Sequence, residues 1–253
     1  MFYLVGIGLK PGHLTLEAKE SIEKCGRVFL DTYTSAYSQG SIEGLKTLVC
    51  KEIIPLDRKG IEEGFSLVLR EAKKSNESIA LLVFGNALSA TTHIQLLLDA
   101  KRIGLESRVV PGISIFDFIG VAGLDQYRFG RTCTIVAPKQ NYAPESFYDL
   151  IEANFKSNLH TMCLLDIDTE HDYKMTVAEA LVILSKIEKK RGKSILKEAT
   201  LVGLYALGSD KQVVKTGSFE KLSKSSFALF PQSLVIAAKL TEKEKEALEA
   251  LNG

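Results

Sequence analysis

From its first residue the chain alternates short apolar runs with amphipathic stretches, and that rhythm suits a layered α/β fold. Residues 2–7, 27–31, 51–54, 78–84 and 107–110 read as strands, the third ended by Pro55. Residues 15–25, 61–74 and 90–103 carry apolar side chains at helical spacing, as with Phe65, Val68, Leu69 and Ala72. Further on, 132–137, 160–166, 201–204 and 234–238 read as strands and 213–216 as an edge strand. Helices are expected over 146–155, 176–188 and 242–251. Short strands separated by helices call for parallel or mixed sheets covered by helices. The first five strands make a complete set, so two α/β domains are expected, 1–112 and 113–253.

Two strand ends stand out. In Val83-Phe84-Gly85-Asn86-Ala87-Leu88-Ser89-Ala90-Thr91-Thr92-His93 an apolar run ends in a glycine turn, and Ala-Thr-Thr-His is expected to open a helix. In Val109-Val110-Pro111-Gly112-Ile113-Ser114-Ile115 the next run ends the same way. Ligands of α/β folds sit at the carboxyl ends of strands, where glycine lets bare backbone approach them. Two such turns so close together suggest two walls of one cleft.

Composition adds exclusions. The 253 residues are 45% hydrophobic and 25% charged, with a net charge of +1. That balance advertises neither nucleic acid nor an anionic membrane. Cys25, Cys50, Cys133 and Cys163 are scattered without a C-x-x-C pair, which reads as reduced, buried thiols. No apolar run reaches bilayer length, and Met1-Phe2-Tyr3-Leu4-Val5-Gly6 reads as a strand. A soluble cytoplasmic protein is the expectation.

Other motifs admit plain readings. Gly6, Gly8 and Gly12 follow the first strand, and Asp31 ends the second near the spacing of a ribose-binding carboxylate. The glycines run G-x-G-x-x-x-G, however, and Pro11 stands where a nicotinamide-binding helix should begin. A ligand-facing loop of another kind fits better. His93 has no second histidine at metal-ligand spacing and reads as structural, as do Thr91 and Thr92 as caps. Asp166 and Asp168 fall on alternate strand positions, so they could share a face as a metal or acid–base pair or stand as solvated strand-end carboxylates. There is no G-x-S-x-G, no P-loop and no close Cys-His pair, so no nucleophile or metal site is assigned.

Taken in order, these strings resemble the tetrapyrrole-methylase-type S-adenosylmethionine-dependent methyltransferases, and within them the diphthine synthase family. The likeness rests on the G-x-G turn, Tyr33-Thr34-Ser35, Ala90-Thr91-Thr92-His93, P-G-x-S-I, Pro144-Glu145-Ser146-Phe147-Tyr148-Asp149 and His160-Thr161-Met162-Cys163-Leu164-Leu165-Asp166-Ile167. Gly203-Leu204 followed by Gly208-Ser209-Asp210 extends it through nearly the whole chain. The resemblance implies two α/β domains with mixed or parallel sheets and the cofactor in the cleft between them. It implies a homodimer that repeatedly methylates the amino group of a 3-amino-3-carboxypropyl-histidine on translation elongation factor 2, a step of diphthamide biosynthesis. S-adenosylmethionine would be the cofactor and S-adenosylhomocysteine the product. Cofactor contacts would fall on Leu9, Asn86, Ser89, Ser114 and Ile115, then on Leu165, Leu207 and Gln232. No catalytic residue is carried over; Tyr33, Tyr37 and His93 are candidates for touching the acceptor.

Three short strings depart from the family pattern. Gly85-Asn86-Ala87 replaces Gly-Asp-Pro, Tyr205-Ala206 replaces Ala-Arg, and Gln232 replaces a histidine. They keep two other readings open: a same-fold enzyme acting on a tetrapyrrole, and a cofactor-binding protein that has lost turnover.

Overall fold

The computed structural model describes residues 1–252. The chain forms two compact units, Met1–Asp117 and Phe118–Gly253. In the first, β1 (Phe2–Gly6), β2 (Arg27–Asp31), β3 (Ile54–Leu56), β4 (Ile79–Val83) and β5 (Ser107–Val110) form a sheet in the order β3-β2-β4-β1-β5. Every pairing is parallel. Side chains alternate between two covered faces, which is why the central strands β1 and β4 are apolar throughout. Val5, Val28, Leu30, Ala80 and Leu82 pack with Ala18 and Ile22 of α1 (Leu16–Glu23) and Leu45 and Val49 of α2 (Ile42–Val49). Phe2, Leu4, Phe29, Ile79 and Leu81 pack with Phe65 and Leu69 of α3 (Phe65–Ser75) and Leu96 and Ala100 of α4 (Ile94–Arg102).

The strand order locates a ligand site. The chain leaves β1 toward β2, but leaves the neighbouring β4 toward β5 on the other side. The connections therefore diverge at the carboxyl ends of β1 and β4, the place where open α/β sheets take ligands.

Some expectations shift. β3 runs through Pro55 instead of ending before it; as an edge strand it needs ladder hydrogen bonds on one side only. Helix α2 has no counterpart in the sequence reading; Ser41 caps it by accepting the Gly44 N–H at 3.1 Å. Helix α4 starts at Ile94, so Ala-Thr-Thr-His is a turn before the helix and not its first turn. Ala90 adopts φ +57° there, and Thr91 Oγ1 donates to the Ala87 carbonyl, closing that turn separately.

In the second unit, β6 (Cys133–Ile135) and β7 (Thr161–Leu165) precede a small hairpin of β8 (Ile167–Asp168) and β9 (Tyr173–Lys174). Strands β10 (Thr200–Tyr205), β11 (Val213–Gly217) and β12 (Gln232–Ala237) complete a mixed sheet, order β11-β10-β12-β7-β6, with β11 at the expected edge. Only β6 and β7 pair in parallel. Helices α5 (Ser146–Lys156), α6 (Val177–Arg191), α7 (Ile195–Glu198), α8 (Phe219–Leu222) and α9 (Glu242–Asn252) accompany it. Tyr148, Leu181, Leu184, Leu201, Leu234 and Ile236 form its core. A Thr176–Glu179 capping box opens α6 and Gly192 in the left-handed region ends it.

Cys25, Cys133 and Cys163 are buried free thiols, whereas Cys50 is exposed at the end of α2. Burial pushes the Cys25 thiol up to about 11, which keeps it protonated and unreactive. No helix among the described residues is long and apolar enough to cross a membrane.

Candidate active site

At the diverging ends of β1, β4 and β5, backbone meets backbone. Gly8 N–H donates to the Gly85 carbonyl at 3.1 Å and Gly85 N–H returns to the Gly8 carbonyl at 2.8 Å. A Cβ placed on Gly112 would lie 2.5 Å from the Gly6 carbonyl carbon and 2.6 Å from its oxygen, so only glycine fits. Gly85 has φ +72°, in the left-handed region that other residues seldom enter. A Cβ there would sit 3.9 Å from Leu9 Cδ2 and 4.0 Å from the Ile113 carbonyl oxygen and Ser114 Cα. The structure thus brings Leu9, Gly85 and Ser114 to one spot, a cradle kept open by the absence of side chains.

The polar groups of the surrounding turns bond largely to one another, with one carboxylate, Asp117, among them. Asn86 Oδ1 accepts the Leu88 N–H at 3.1 Å, and the Asn86 carbonyl accepts the Ser89 N–H at 3.1 Å, so the two polar residues share one turn. Ser114 is buried, its N–H donating to Asp117 Oδ2 at 2.6 Å. The Leu9 carbonyl takes both the N–H and the hydroxyl of Ser38 at 2.9 Å, which pins the 32–40 segment to the first glycine turn.

Asp31 does not serve a ribose. It is fully buried, and its Oδ1 accepts the N–H groups of Tyr33 and Thr34 at 2.9 and 3.2 Å. Its Oδ2 accepts the Thr34 hydroxyl at 2.5 Å and lies 3.1 Å from His93 Nε2. His93 is 1% exposed and lines a cavity with Ile61, Glu62, Ser66 and Thr92. Tyr33 and Tyr37 are half-buried. Tyr37 packs edge-on against Phe84 at 4.8 Å, and burial holds its phenol well above the ordinary range.

In the second unit the three expected residues share one end of the mixed sheet. Leu165 ends β7, Tyr205 pairs with Gln232, and Leu207 follows two residues after β10. Leu165 and Leu207 are buried. The Gln232 side chain is already committed: Oε1 accepts the Val177 N–H at 2.8 Å and Nε2 donates to the Phe227 carbonyl at 2.8 Å. One N–H of the amide and one lone pair of Oε1 remain beyond these two bonds. Gln232→Ala is expected to cost roughly 2 kcal/mol, because the buried N–H that opens α6 loses its acceptor; the urea midpoint measures it. Ala206, where the family pattern has arginine, is buried with φ +44°.

Asp166 and Asp168 do not form a functional pair. Asp166 Oδ2 accepts the Ala137 N–H at 3.0 Å, joining β7 to the segment after β6. Asp168 binds the Lys139 ammonium at 2.9 Å and His171 at 3.0 Å, and these hold its carboxyl down to about 2. Both carboxylates are structural ties.

Known proteins agree with this geometry. Residues 1–223 match the tetrapyrrole (corrin/porphyrin) methylases. A diphthine synthase of Methanococcus vannielii is 35% identical over 253 residues, covering 99% of this chain and 98% of that protein. A diphthine synthase of Methanococcus aeolicus matches at the same identity and coverage. A crystal structure of diphthine synthase superposes with a TM-score of 0.88 at 30% identity, covering 99% of this chain and 95% of the other. A crystal structure from Entamoeba histolytica gives a TM-score of 0.90 at 28% identity, covering 100% and 98%. With a family match over most of its length and full-length relatives above 30% identity, the chain belongs to the tetrapyrrole methylase family, among the diphthine synthases.

Proposed function

We propose that this methyltransferase uses S-adenosylmethionine to methylate, repeatedly, the amino group of the 3-amino-3-carboxypropyl-histidine of elongation factor 2. Likeness to diphthine synthases along 99% of the chain carries the reading. The glycine cradle supports its location: its open floor and polar rim suit a nucleoside-bearing sulfonium compound. Leu9, Asn86, Ser89, Ser114 and Ile115 would contact the cofactor from the first unit, and Leu165, Leu207 and Gln232 from the second. The enzyme would work in the cytoplasm as a homodimer; Leu67 on α3 and Ile94 and Leu98 on α4 leave apolar surface for a second copy.

When bound, S-adenosylmethionine supplies a methyl group activated on sulfonium. The chain's task is placement. The chain would hold the acceptor amine in line with that methyl group, its residues supplying orientation. A cradle built from backbone at three strand ends fixes geometry, which alone is worth several orders of magnitude in rate. The mutual Gly8 and Gly85 hydrogen bonds would hold that cradle rigid while the cofactor is bound. No side chain is assigned as a general base.

Asn86 weakens one favourable term. It keeps the family's hydrogen-bonding shape but lacks the carboxylate charge beside a cation. Asn86→Asp is expected to tighten S-adenosylmethionine by about 1 kcal/mol, roughly fivefold. S-adenosylhomocysteine, which lacks the sulfonium, should change little. Calorimetry with both ligands checks this.

Transfer of tritiated methyl from S-adenosylmethionine tests the reading itself. Label should enter elongation factor 2 that carries the aminocarboxypropyl group and not the unmodified protein. Label entering a precorrin instead would favour the tetrapyrrole reading, and cofactor binding without transfer would favour lost turnover.

A further inference from the structure

We propose that Asp31 and His93 form a strut that holds the 85–89 turn in its cofactor-binding shape, which makes His93 a positioning residue for methyl transfer. The inference rests on the assignment of Asn86 and Ser89 to the cofactor.

Both side chains are held inside the protein, Asp31 0% and His93 1% exposed. Burying both is costly unless their polar atoms are used. Asp31 stands at the end of β2, which neighbours β4 in the sheet. It is itself locked by three donors, the N–H groups of Tyr33 and Thr34 and the Thr34 hydroxyl. From that fixed point its Oδ2 faces His93 Nε2 at 3.1 Å. The contact lies off the ring N–H direction, so the two side chains meet at close range without a hydrogen bond.

The opposite ring nitrogen makes the functional connection. His93 Nδ1 donates to the Ala87 carbonyl at 3.2 Å, and the Thr91 hydroxyl donates to the same oxygen at 2.6 Å. A carbonyl can only accept, so Nδ1 carries its hydrogen. Ala87 stands between Asn86 and Ser89, whose own hydrogen bond closes the turn. The peptide at the centre of that turn is thereby tied, through the imidazole, to the end of the adjacent strand. Small displacements at a site that works by placement have large effects.

Calorimetric titration of both S-adenosylmethionine and S-adenosylhomocysteine into wild type, His93→Ala, His93→Gln and Asp31→Asn tests the strut, alongside kcat and KM on the modified elongation factor. In His93→Ala the Kd of both ligands should rise on the order of 10- to 100-fold, because turn geometry and not sulfonium charge is altered. The kcat at saturating cofactor should fall far less. Glutamine, whose amide can donate to the Ala87 carbonyl, should recover part of the affinity. Asp31→Asn keeps the Tyr33 and Thr34 acceptor and should give a smaller rise. Should His93→Ala fail to fold, the glutamine and asparagine variants carry the comparison. Unchanged Kd values in folded variants, or a collapse of kcat at unchanged Kd, would overturn the strut. Wild type without affinity for either ligand would overturn the cofactor assignment beneath it.

Discussion

Gly112→Ala is expected to destabilise the first unit by roughly 3 kcal/mol and to raise the cofactor Kd at least 100-fold in the fraction that folds. The added methyl would stand 2.5 Å from the Gly6 carbonyl carbon, with the Gly85 carbonyl also against it. These neighbours are backbone on β1 and on the turn after β4, so no side chain can swing aside. The ends of β5 and β1 must part, and that displacement opens the cradle where Leu9, Gly85 and Ser114 meet. Gly12 provides the contrast. A Cβ there meets nothing within 4 Å, so Gly12→Ala should change stability by no more than about 0.5 kcal/mol and leave the cofactor Kd unaltered. A dinucleotide-binding turn would need its third glycine; this one needs Gly6 and Gly112. Urea denaturation and cofactor calorimetry on the two variants separate the cases.

Glu244→Ala is expected to cost the second unit about 3–5 kcal/mol. Glu244 is 3% exposed, on α9. Its Oε1 accepts His160 Nε2 at 2.9 Å and the Asp125 N–H at 3.2 Å. Its Oε2 accepts the Thr241 N–H at 2.9 Å and pairs with Arg128. His160 Nδ1 accepts the Ala238 N–H at 3.1 Å, so the ring is neutral with its hydrogen on Nε2. Truncating Glu244 leaves that N–H without its acceptor and removes the carboxylate from Arg128, whose other amino group keeps the Lys239 carbonyl at 2.7 Å.

The same network sets two acid limbs. Burial lowers the His160 pKa despite Glu244, so the unfolded chain takes up its proton first and stability begins to fall as pH drops below about 6.5. Burial alone would raise Glu244, but the Thr241 and Asp125 N–H groups and His160 bring it down to about 2. Its contribution is complete above about pH 4.5 and is lost as pH falls toward 2. Urea midpoints measured against pH should therefore show a second decline below pH 4.5 in wild type, reduced in Glu244→Gln.

Much of this was legible because its causes are local. Strands β2 and β5 coincide with their apolar runs, and the turns at Gly85 and Gly112 were visible because only glycine enters such backbone contacts. Helix α2 was missed because Gly40 and Gly44 mask a short apolar period, although Ser41 was present as its cap. Pro55 read as a terminator because sequence does not say which strand lies at an edge. The Asp31–His93 contact spans 62 positions and exists because β2 and β4 are neighbours, a fact of sheet order. The Gln232 amide also joins the Val177 N–H to the Phe227 carbonyl, contacts across 55 and 5 positions that sequence does not display.

The most direct test of the account is the intact mass of elongation factor 2 bearing the 3-amino-3-carboxypropyl-histidine, incubated with S-adenosylmethionine and either wild type or Gly112→Ala. The account predicts successive methyl increments on that residue with wild type and severely slowed increments with folded Gly112→Ala. An unchanged mass with wild type, or equal increments with both proteins, would contradict methyl transfer by placement at the glycine cradle.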